Sequence, residues 1–327
     1  MDPLSDVLHA VRLSGAHFFH ATGAGAWGVA AAPARELSPV VLPGSQHLIS
    51  YHVVLQGHCW GGLAGTPPVR LDAGDVILFA HGDAHRMLSG PEPQCRIVPV
   101  QAVPRFPAIS SFGEPDDTPQ VRLVCGFLGC DREPFNPLGG ALPRQLVMRG
   151  LSEGVVGVFA RQVVEETRAG RAGANSMLTR LAELMFIELL RRHIDALPEG
   201  GAGWLAAVRD PLVGRALAEL HARPAHPWTL AELAARSACS RSVLAERFAA
   251  LAGMPPMQYL ARWRMQLAAA RLREGGAKVA TVALEVGYES EAAFSRAFKK
   301  ATGVAPGRWR TSPAPGSDGG RDPLARS

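Results

Sequence analysis

The last hundred residues of the chain repeat a pattern of residue types at a fixed offset of 50 positions. The matched pairs are Leu233 with Ala283, Ala234 with Leu284, Ser240 with Ser290, Leu244 with Phe294, Phe248 with Phe298, Gly253 with Gly303, Pro256 with Pro306 and Tyr259 with Trp309. A pattern that recurs at a constant interval is typical of one supersecondary unit used more than once. The repeat therefore predicts two copies of the same small unit.

Each copy predicts a short helix, a tight turn and a second helix. In the first copy a helix over 229–235 is followed by a turn, and Ser240 is a suitable N-cap for the next helix. Leu244 and Phe248 then recur at helical spacing, and Gly253 can end the helix in a left-handed conformation. The second copy has a helix over 281–286 and the equivalent residues Ser290, Phe294, Phe298 and Gly303. This order of elements is that of a helix-turn-helix, whose second helix fits a DNA major groove.

A further helix is predicted between the two copies, over 258–274, and its length would hold them as one body. Two recognition helices held about 34 Å apart can enter successive major grooves. Charge supports a polyanionic partner, because residues 210–310 hold 15 Lys and Arg against 8 Asp and Glu, whereas residues 1–209 hold 17 against 19. Charge alone is also compatible with a solvated basic surface.

Several motifs in this region resemble the AraC/XylS family of bacterial transcription regulators. They are Trp228-Thr229-Leu230-x-x-Leu233-Ala234, Ser240-Arg241-x-x-Leu244-x-x-x-Phe248, Gly253-x-x-Pro256-x-x-Tyr259-Leu260, Val286-Gly287-Tyr288-x-Ser290-x-x-x-Phe294-x-Arg296-x-Phe298-Lys299 and Gly303-x-x-Pro306-x-x-Trp309-Arg310. The last two together are the most specific signature of the family. The resemblance implies a regulator that binds promoter DNA, and it favours an activator that contacts RNA polymerase.

The faces of the two predicted recognition helices indicate which side chains would meet DNA. The first helix, 240–252, is expected to present Arg241, Ser242, Ala245 and Glu246, and the second, 290–302, Glu291, Ala292, Ser295, Arg296 and Lys299. Arg296 is the expected base contact, since a guanidinium can donate two hydrogen bonds to a guanine edge. Arg241 and Lys299 are expected to contact phosphates. Glu246 either accepts from a cytosine amino group or is a solvated glutamate without a role.

The first half of the chain predicts a sheet domain. Short apolar or alternating runs at 47–56, 69–71, 75–80, 96–100 and 121–128 are typical of strands. Turn signals rich in Gly and Pro separate them, among them Gly61-Gly62. Many short strands at close spacing predict a sandwich or a small barrel.

Two stretches of this half resemble cupin motifs. Gly74-x5-Ala80-His81-Gly82-x2-His85 is similar to the second cupin motif, with Ala80 in place of a proline. Residues 50–57 are similar to the end of the first motif, but Ser50 stands where a glutamate is expected and the usual His-x-His pair is absent. The resemblance implies a cupin-type sensor like that of some AraC-like regulators. The expected fold class is therefore α+β, with a cupin-like β-barrel, a helical connector and an all-α double helix-turn-helix.

His52, His81 and His85 are the candidate ligands for a small-molecule effector or a metal ion. A cupin enzyme commonly needs several histidines and a carboxylate around one metal, so the missing glutamate argues against catalysis. Histidines satisfied within a small barrel are the other interpretation. Cys125-x4-Cys130 lacks the spacing of a zinc knuckle and favours structural thiols over a metal or redox site.

Four parts are expected along the chain. They are a sensor at 1–145, a connector at 146–203, a DNA-binding domain at 204–310 and a disordered tail at 311–327. The connector contains two predicted helices, over 155–168 and 176–197, whose apolar residues suit either a core or a dimer interface. We expect a homodimer.

The chain is expected to be cytoplasmic, without a membrane partner and without a certain cofactor. Its five cysteines are an odd number, which argues against a disulfide scaffold and fits a reducing compartment. Residues 1–6 lack the features of a signal peptide, and no apolar run approaches the roughly 18–20 residues that a membrane span needs.

Two other functions remain open. A metal-binding cupin enzyme fused to a DNA-binding module would show stoichiometric metal and turnover, and the missing carboxylate argues against it. An architectural DNA-binding protein would show little sequence preference, and two recognition helices with different exposed residues argue against it. The favoured hypothesis is a regulator in which an effector in the barrel changes how the connector presents the DNA-binding units.

Overall fold

The computed structural model describes residues 2–11, 13, 15–92, 97–100, 109–113, 119–131, 134–198 and 200–311. The described residues fall into two compact units. The helical unit takes them from 1–12, 131–141 and 193–313, and the sheet unit takes them from 13–130 and 142–192. The four parts expected from the sequence stay a prediction, because the units describe packing rather than uninterrupted stretches of chain. The predicted disordered tail, 311–327, is corrected at its first residue, because Thr311 ends a helix, and its residues from 312 onward lie outside the described residues.

The strands are β1 (Ala16–Ala24), β2 (Gly28–Ala31), β3 (His47–Gln56), β4 (His58–Leu63), β5 (Val69–Asp72), β6 (Val76–Phe79), β7 (His85–Leu88), β8 (Val98–Val100), β9 (Ile109–Gly113), β10 (Val121–Cys130) and β11 (Leu146–Met148). The helices are α1 (Pro3–Ala10), α2 (Ala34–Val41), α3 (Val155–Ala169), α4 (Ala174–Ala196), α5 (Trp204–Arg209), α6 (Val213–Ala222), α7 (Leu230–Arg236), α8 (Arg241–Ala252), α9 (Pro256–Glu274), α10 (Val279–Glu285), α11 (Glu291–Thr302) and α12 (Pro306–Thr311). The mixed α+β class is confirmed.

The described strands form two sheets. One has the order β11-β6-β3-β10-β1-β9 and the other β5-β4-β7-β2-β8. Most neighbours are antiparallel, and β1–β9 and β2–β8 are the parallel pairs among the described strands. No hydrogen-bonded pairing between described strands joins the two sheets into a closed barrel, so the predicted barrel is corrected to two sheets here.

Side chains alternate between two faces along the strands of the sheet that contains β10. One face lies in an apolar core, and the other is covered by a helix. Along β10, Leu123, Cys125 and Phe127 point into the core shared by the two sheets. α3 packs on β1, β3 and β10 and buries Val156, Ala160 and Val163. The sheet unit therefore has a core between its sheets and a second layer under α3.

Four of the five predicted strands are confirmed as β3, β5, β6 and β10, and β8 matches the described part of the fifth, of which residue 96 lies outside the described residues. The sequence did not predict the remaining strands or α1 and α2. Gly61-Gly62, predicted as a turn, lies inside β4. A Cβ at Gly61 would come within 2.8 Å of the Met87 sulfur, so this glycine serves close packing rather than a bend.

The helical unit includes two segments that lie far from its other residues in the sequence. Gln266, on α9, is almost completely buried, and its Nε2 donates to the Ala10 carbonyl at 2.9 Å. Its Oε1 accepts from the Phe135 amide at 3.0 Å. Arg273 also pairs with Asp131 at 2.7 Å. α9 is thus held by α1 and by the segment around 131–141.

No helix in the described part of the chain has the length and apolar character needed to span a membrane.

Candidate functional sites

The second helix of each repeat begins and ends as the sequence predicts. Ser240 caps α8, its hydroxyl accepting from the Val243 amide at 3.3 Å, and Ser290 caps α11 in the same way. Gly253 and Gly303 end the two helices at φ of 73° and 80°, in the left-handed region. These local signals fix the limits of both candidate recognition helices.

Buried aromatic and aliphatic residues orient the two helices. Leu244 and Phe248 on α8, and Phe294 and Phe298 on α11, have no exposed surface. The opposite faces carry the predicted DNA-contacting residues. Arg241, Ser242, Glu246, Glu291, Ala292, Arg296 and Lys299 are exposed, and Ala245 and Ser295 are partly buried. The structure therefore brings each predicted group together on one helix face.

The offset of 50 residues applies to the second helices but not to the first ones. The Cys239 amide donates to the Ala234 carbonyl, and the Tyr288 amide donates to the Ala283 carbonyl, which gives an offset of 49. The predicted match of Ala234 with Leu284 is wrong, because Ala234 is buried and Leu284 is 63% exposed. The second copy has one extra turn residue, Glu289, so its first helix is displaced by one position.

The predicted DNA-contacting cations on the two recognition helices have no intramolecular partner among the described residues. Within the described residues, no hydrogen bond or ion pair engages the side-chain cations of Arg241, Arg296 and Lys299. Arg247 differs, because it makes a two-pronged ion pair with Asp210 at 2.6 and 2.8 Å. Free cations on a helix that presents one face to solvent suit contact with a polyanion.

The second copy is the more basic of the two. Lys300 and Arg308 are exposed beside Lys299, although the sequence did not single them out. The first copy has Glu246 on its exposed face at the position that Arg296 takes in the second. The electrostatic attraction for phosphate is therefore expected to be concentrated on α11 and α12.

In the sheet unit, two of the three candidate histidines meet. His52 on β3 and His85 on β7 are both buried, and their Nε2 atoms are 3.0 Å apart. His85 Nδ1 donates to the Asp83 carbonyl at 3.1 Å, so its Nε2 is the acceptor of the pair. His52 Nε2 must then donate, which leaves His52 Nδ1 as an acceptor without a partner among the described residues.

Burial keeps both rings neutral. Desolvation lowers the pKa of His85 to about 4 and lowers the pKa of His52 well below its ordinary value. The His85 ring also stacks on Phe79, with centroids 4.0 Å apart, which fixes its orientation. The pair is a preformed chain of neutral hydrogen bonds that ends on one free acceptor.

An apolar cavity lies beside this pair. Besides His52 and His85 it is lined by Phe19, Val29, Ala31, Met87, Phe112, Leu123, Cys125 and Phe127. Its volume is about 20 Å³, which is room for roughly one water molecule. Apart from the two imidazole rings, the side chains that line the cavity are apolar.

The third candidate, His81, lies in the turn after β6 and its Nε2 donates to the Leu142 carbonyl at 2.8 Å. It is not among the residues that line the cavity. Among the described residues, no group of three or more His, Cys, Asp or Glu side chains has a metal-binding arrangement. The donors present do not fit the metal centre of a cupin enzyme.

The described cysteines are free thiols, and burial keeps two of them protonated. Desolvation raises the pKa of Cys59 to about 12 and raises the pKa of Cys125 further. A thiol so far from ionisation is a poor nucleophile and a poor metal ligand.

Two family models match the chain. A cupin model matches residues 2–195, and a helix-turn-helix domain model matches residues 233–312. The two matches place the histidine pair in the cupin region and both recognition helices in the helix-turn-helix region. The resemblances drawn from the sequence motifs are confirmed.

Relatives match over almost the whole length. An AraC-like transcription regulator of Streptomyces antibioticus is 33% identical over 96% of this chain and 100% of its own. One from Streptomyces lividans is 34% identical over 96% of this chain and 99% of its own. The HTH-type transcriptional regulator AlkR of Acinetobacter baylyi is 26% identical over 95% and 99%. This chain therefore belongs to the AraC-like transcription regulators, with an N-terminal cupin domain and a C-terminal helix-turn-helix domain.

Proposed function

We propose that this protein regulates transcription by binding double-stranded promoter DNA in a sequence-specific way, with α8 and α11 in successive major grooves. The observation that carries the proposal is the pair of recognition helices, capped alike and buried alike, with unoccupied cations on their exposed faces. Two helices of this kind on one rigid connecting helix are the parts that a two-groove reader needs.

Base reading is assigned to Arg296. Its guanidinium is exposed at the centre of the α11 face and has no partner among the described residues. Arg241 and Lys299 supply phosphate contacts, and Ser242, Ala245, Glu291, Ala292 and Ser295 complete the two faces that approach the bases. Glu246 is exposed, and no described side chain pairs with it, so both of its interpretations stay open.

An effector is proposed for the sheet unit, at His52 and His85. The apolar lining and the unpartnered Nδ1 of His52 favour a small, largely apolar molecule with one hydrogen-bond donor. Because the cavity has room for roughly one water molecule, binding requires the lining side chains to move apart. Regulation rather than turnover is the role of this site, since the described donors converge in a pair and no carboxylate joins them.

A homodimer in the cytoplasm is the proposed form of the protein. α3 and α4 expose Val158, Met177 and Leu184, each about half accessible, which suits a helical contact with a second copy. Activation through contact with RNA polymerase is the proposed mode of action.

The test is fluorescence anisotropy with DNA from upstream of the protein's own gene and with a scrambled version, each over a series of salt concentrations. We expect wild type to prefer the upstream site and Arg296→Ala to lose about 1–3 kcal/mol on that site only. Arg191→Ala is the matched control, because Arg191 is an exposed arginine on α4 in neither recognition helix. Equal binding of both DNAs with one salt slope would show binding by charge alone and would contradict the proposal.

The effector is tested separately, by screening small molecules for a change in operator affinity and in transcription. His52→Leu removes the free acceptor and should abolish any response that wild type shows. A broad screen without any change in wild type would contradict an effector while leaving DNA binding intact.

A further inference from the structure

Arg264 lies in the middle of α9, the helix that joins the two repeats, and its guanidinium is shared among three backbone carbonyls. Nε donates to Pro224 O at 2.7 Å and Nη2 donates to His226 O at 2.9 Å. Nη1 donates to Gly287 O at 3.3 Å. A planar fork that donates in three directions fixes the positions of its acceptors relative to one another.

The three carbonyls come from two separate segments of the helical unit. Pro224 and His226 lie in the loop between α6 and α7, a few residues before Thr229 caps the first helix of the first copy. Gly287 lies in the turn between the two helices of the second copy. One side chain therefore links the loop that leads into the first helix-turn-helix to the turn of the second.

The backbone shows the same junction independently of Arg264. A Cβ at Gly287 would come within 2.6 Å of the Ala225 carbonyl oxygen and within 2.7 Å of its Cα. The turn of the second copy thus packs directly on the loop that precedes the first copy, without a side chain between them. The junction is tight, and a change of angle between the copies would separate this contact.

The other arginines of α9 do not make such a link. Arg271 pairs with Glu274 and Glu285, and Arg273 pairs with Asp131. Arg262 is exposed, with its guanidinium 5.9 Å from the Phe135 ring. Among the described arginines of this helix, Arg264 alone joins the second copy to the loop before the first copy.

We propose that Arg264 is a positioning residue that sets the distance and angle between α8 and α11, and hence the spacing of the two DNA subsites that the protein accepts. The inference rests on the proposed function, because it assumes that both helices enter DNA. Hydrogen bonds from a charged donor are the stronger ones, so removing three of them allows the two copies to move apart or rotate. Arg264 has no need to touch DNA for this role.

The experiment begins with a site selected by wild type from a random DNA library. Each half of that site is scrambled in turn to give two half-site DNAs, and one or two base pairs are inserted between the halves to give spacing variants. Each inserted base pair rotates one subsite by about 34° around the DNA axis. Affinities are measured for full-length wild type, Arg264→Met, Arg264→Lys and the control Arg262→Met.

Wild type and Arg262→Met should bind the selected site at least about tenfold more tightly than the spacing variants, which is a difference of about 1.4 kcal/mol. Arg264→Met should lose about tenfold on the selected site, bind each half-site as wild type does, and show a flattened dependence on spacing. Arg264→Lys, with one ammonium in place of a fork, should lie between them. It also carries the test if Arg264→Met does not fold.

An unchanged spacing profile in the Arg264 variants would overturn the inference, even if their affinity fell. Equal losses on half-sites and on the selected site would overturn it too, because they would report a general loss of structure. If wild type selects no preferred sequence at all, the proposed function fails and not this inference alone.

Discussion

The two helix-turn-helix copies share the frame of their second helix and differ in almost everything around it. Both second helices have a serine cap, a buried pair at i and i+4, and a glycine end. The turns differ in length, and the exposed faces differ in charge. A few local residues therefore set the start, end and buried face of a recognition helix, whereas the turn before it and its exposed side chains vary independently.

The two turns also adopt a left-handed backbone conformation at equivalent positions, but with different residues there. Ala238 and Gly287 both have positive φ, at 57° and 84°, and each amide donates to the residue three positions earlier. An alanine in this region carries strain that glycine does not. The first copy tolerates that strain, whereas the second copy has a glycine with backbone packed against it.

The largest expected effect comes from placing an alanine in the turn of the second copy. Gly287→Ala combines a left-handed alanine with a clash against the Ala225 backbone, so we expect a loss of about 2–4 kcal/mol in the free energy of unfolding. Urea denaturation of the full chain measures it.

The matched control for that substitution is Ala238→Gly, which should be neutral or stabilising by about 0.5 kcal/mol. Equal losses from the two substitutions would show that the turns are held in the same way.

A smaller effect is expected on DNA. Glu246→Arg gives the first copy the charge that Arg296 gives the second, and we expect tighter binding by about 1 kcal/mol at low salt with a steeper salt dependence. Anisotropy over a salt series measures both quantities. A weaker complex with the selected DNA alone would indicate instead that Glu246 accepts from a cytosine amino group.

Ser237 offers a further test of about 1 kcal/mol. Its hydroxyl is fully buried without a partner among the described residues, and Val286 takes the same place at the end of α10. Ser237→Ala should raise the free energy of unfolding by about 1 kcal/mol, because an unsatisfied polar group is removed. A lower free energy of unfolding for Ser237→Ala, measured by chemical denaturation, would mean that a water molecule hydrogen-bonds to the hydroxyl in the folded protein.

The smallest effect concerns the first helices. Thr229 caps α7 by accepting from the Glu232 amide, whereas Lys278 gives α10 no side-chain cap. Lys278→Ser should stabilise the chain by about 0.5–1 kcal/mol, and Thr229→Ala should destabilise it by a similar amount. Thermal unfolding of both variants measures the two changes in stability. No gain from Lys278→Ser would show that a missing side-chain cap is not what distinguishes α10 from α7.

Sequence reasoning succeeded where the signal is local. Ser240, Gly253 and the buried pair Leu244 and Phe248 act within one helix, so their spacing alone predicted α8 and its exposed face. The same reasoning matched the first helices of the two copies wrongly. The second copy has one extra turn residue, and the apolar residues of these short helices can be aligned at an offset of 49 or of 50.

Contacts between distant segments were beyond the sequence. Nothing in a run of four arginines on α9 distinguishes Arg264, since its acceptors are backbone carbonyls 23 to 40 positions away. His52 and His85 were both candidates, but their meeting depends on how β3 and β7 face each other across the sheets. His81 belongs to the same cupin-like motif as His85, yet its ring bonds to the Leu142 carbonyl and not to another histidine.

The contact between Gln266 and Ala10 has a consequence for the order in which the protein can be completed. The two residues are 256 positions apart, which at about 5–20 residues per second is roughly 13–50 s of synthesis on a ribosome. α1 is synthesised before α9, and its contact with Gln266 can form only after α9 has emerged. A nascent chain interrupted before both α6 and α9 would leave the apolar side of α1 without these two helices, so chaperone capture during translation is expected to act on α1.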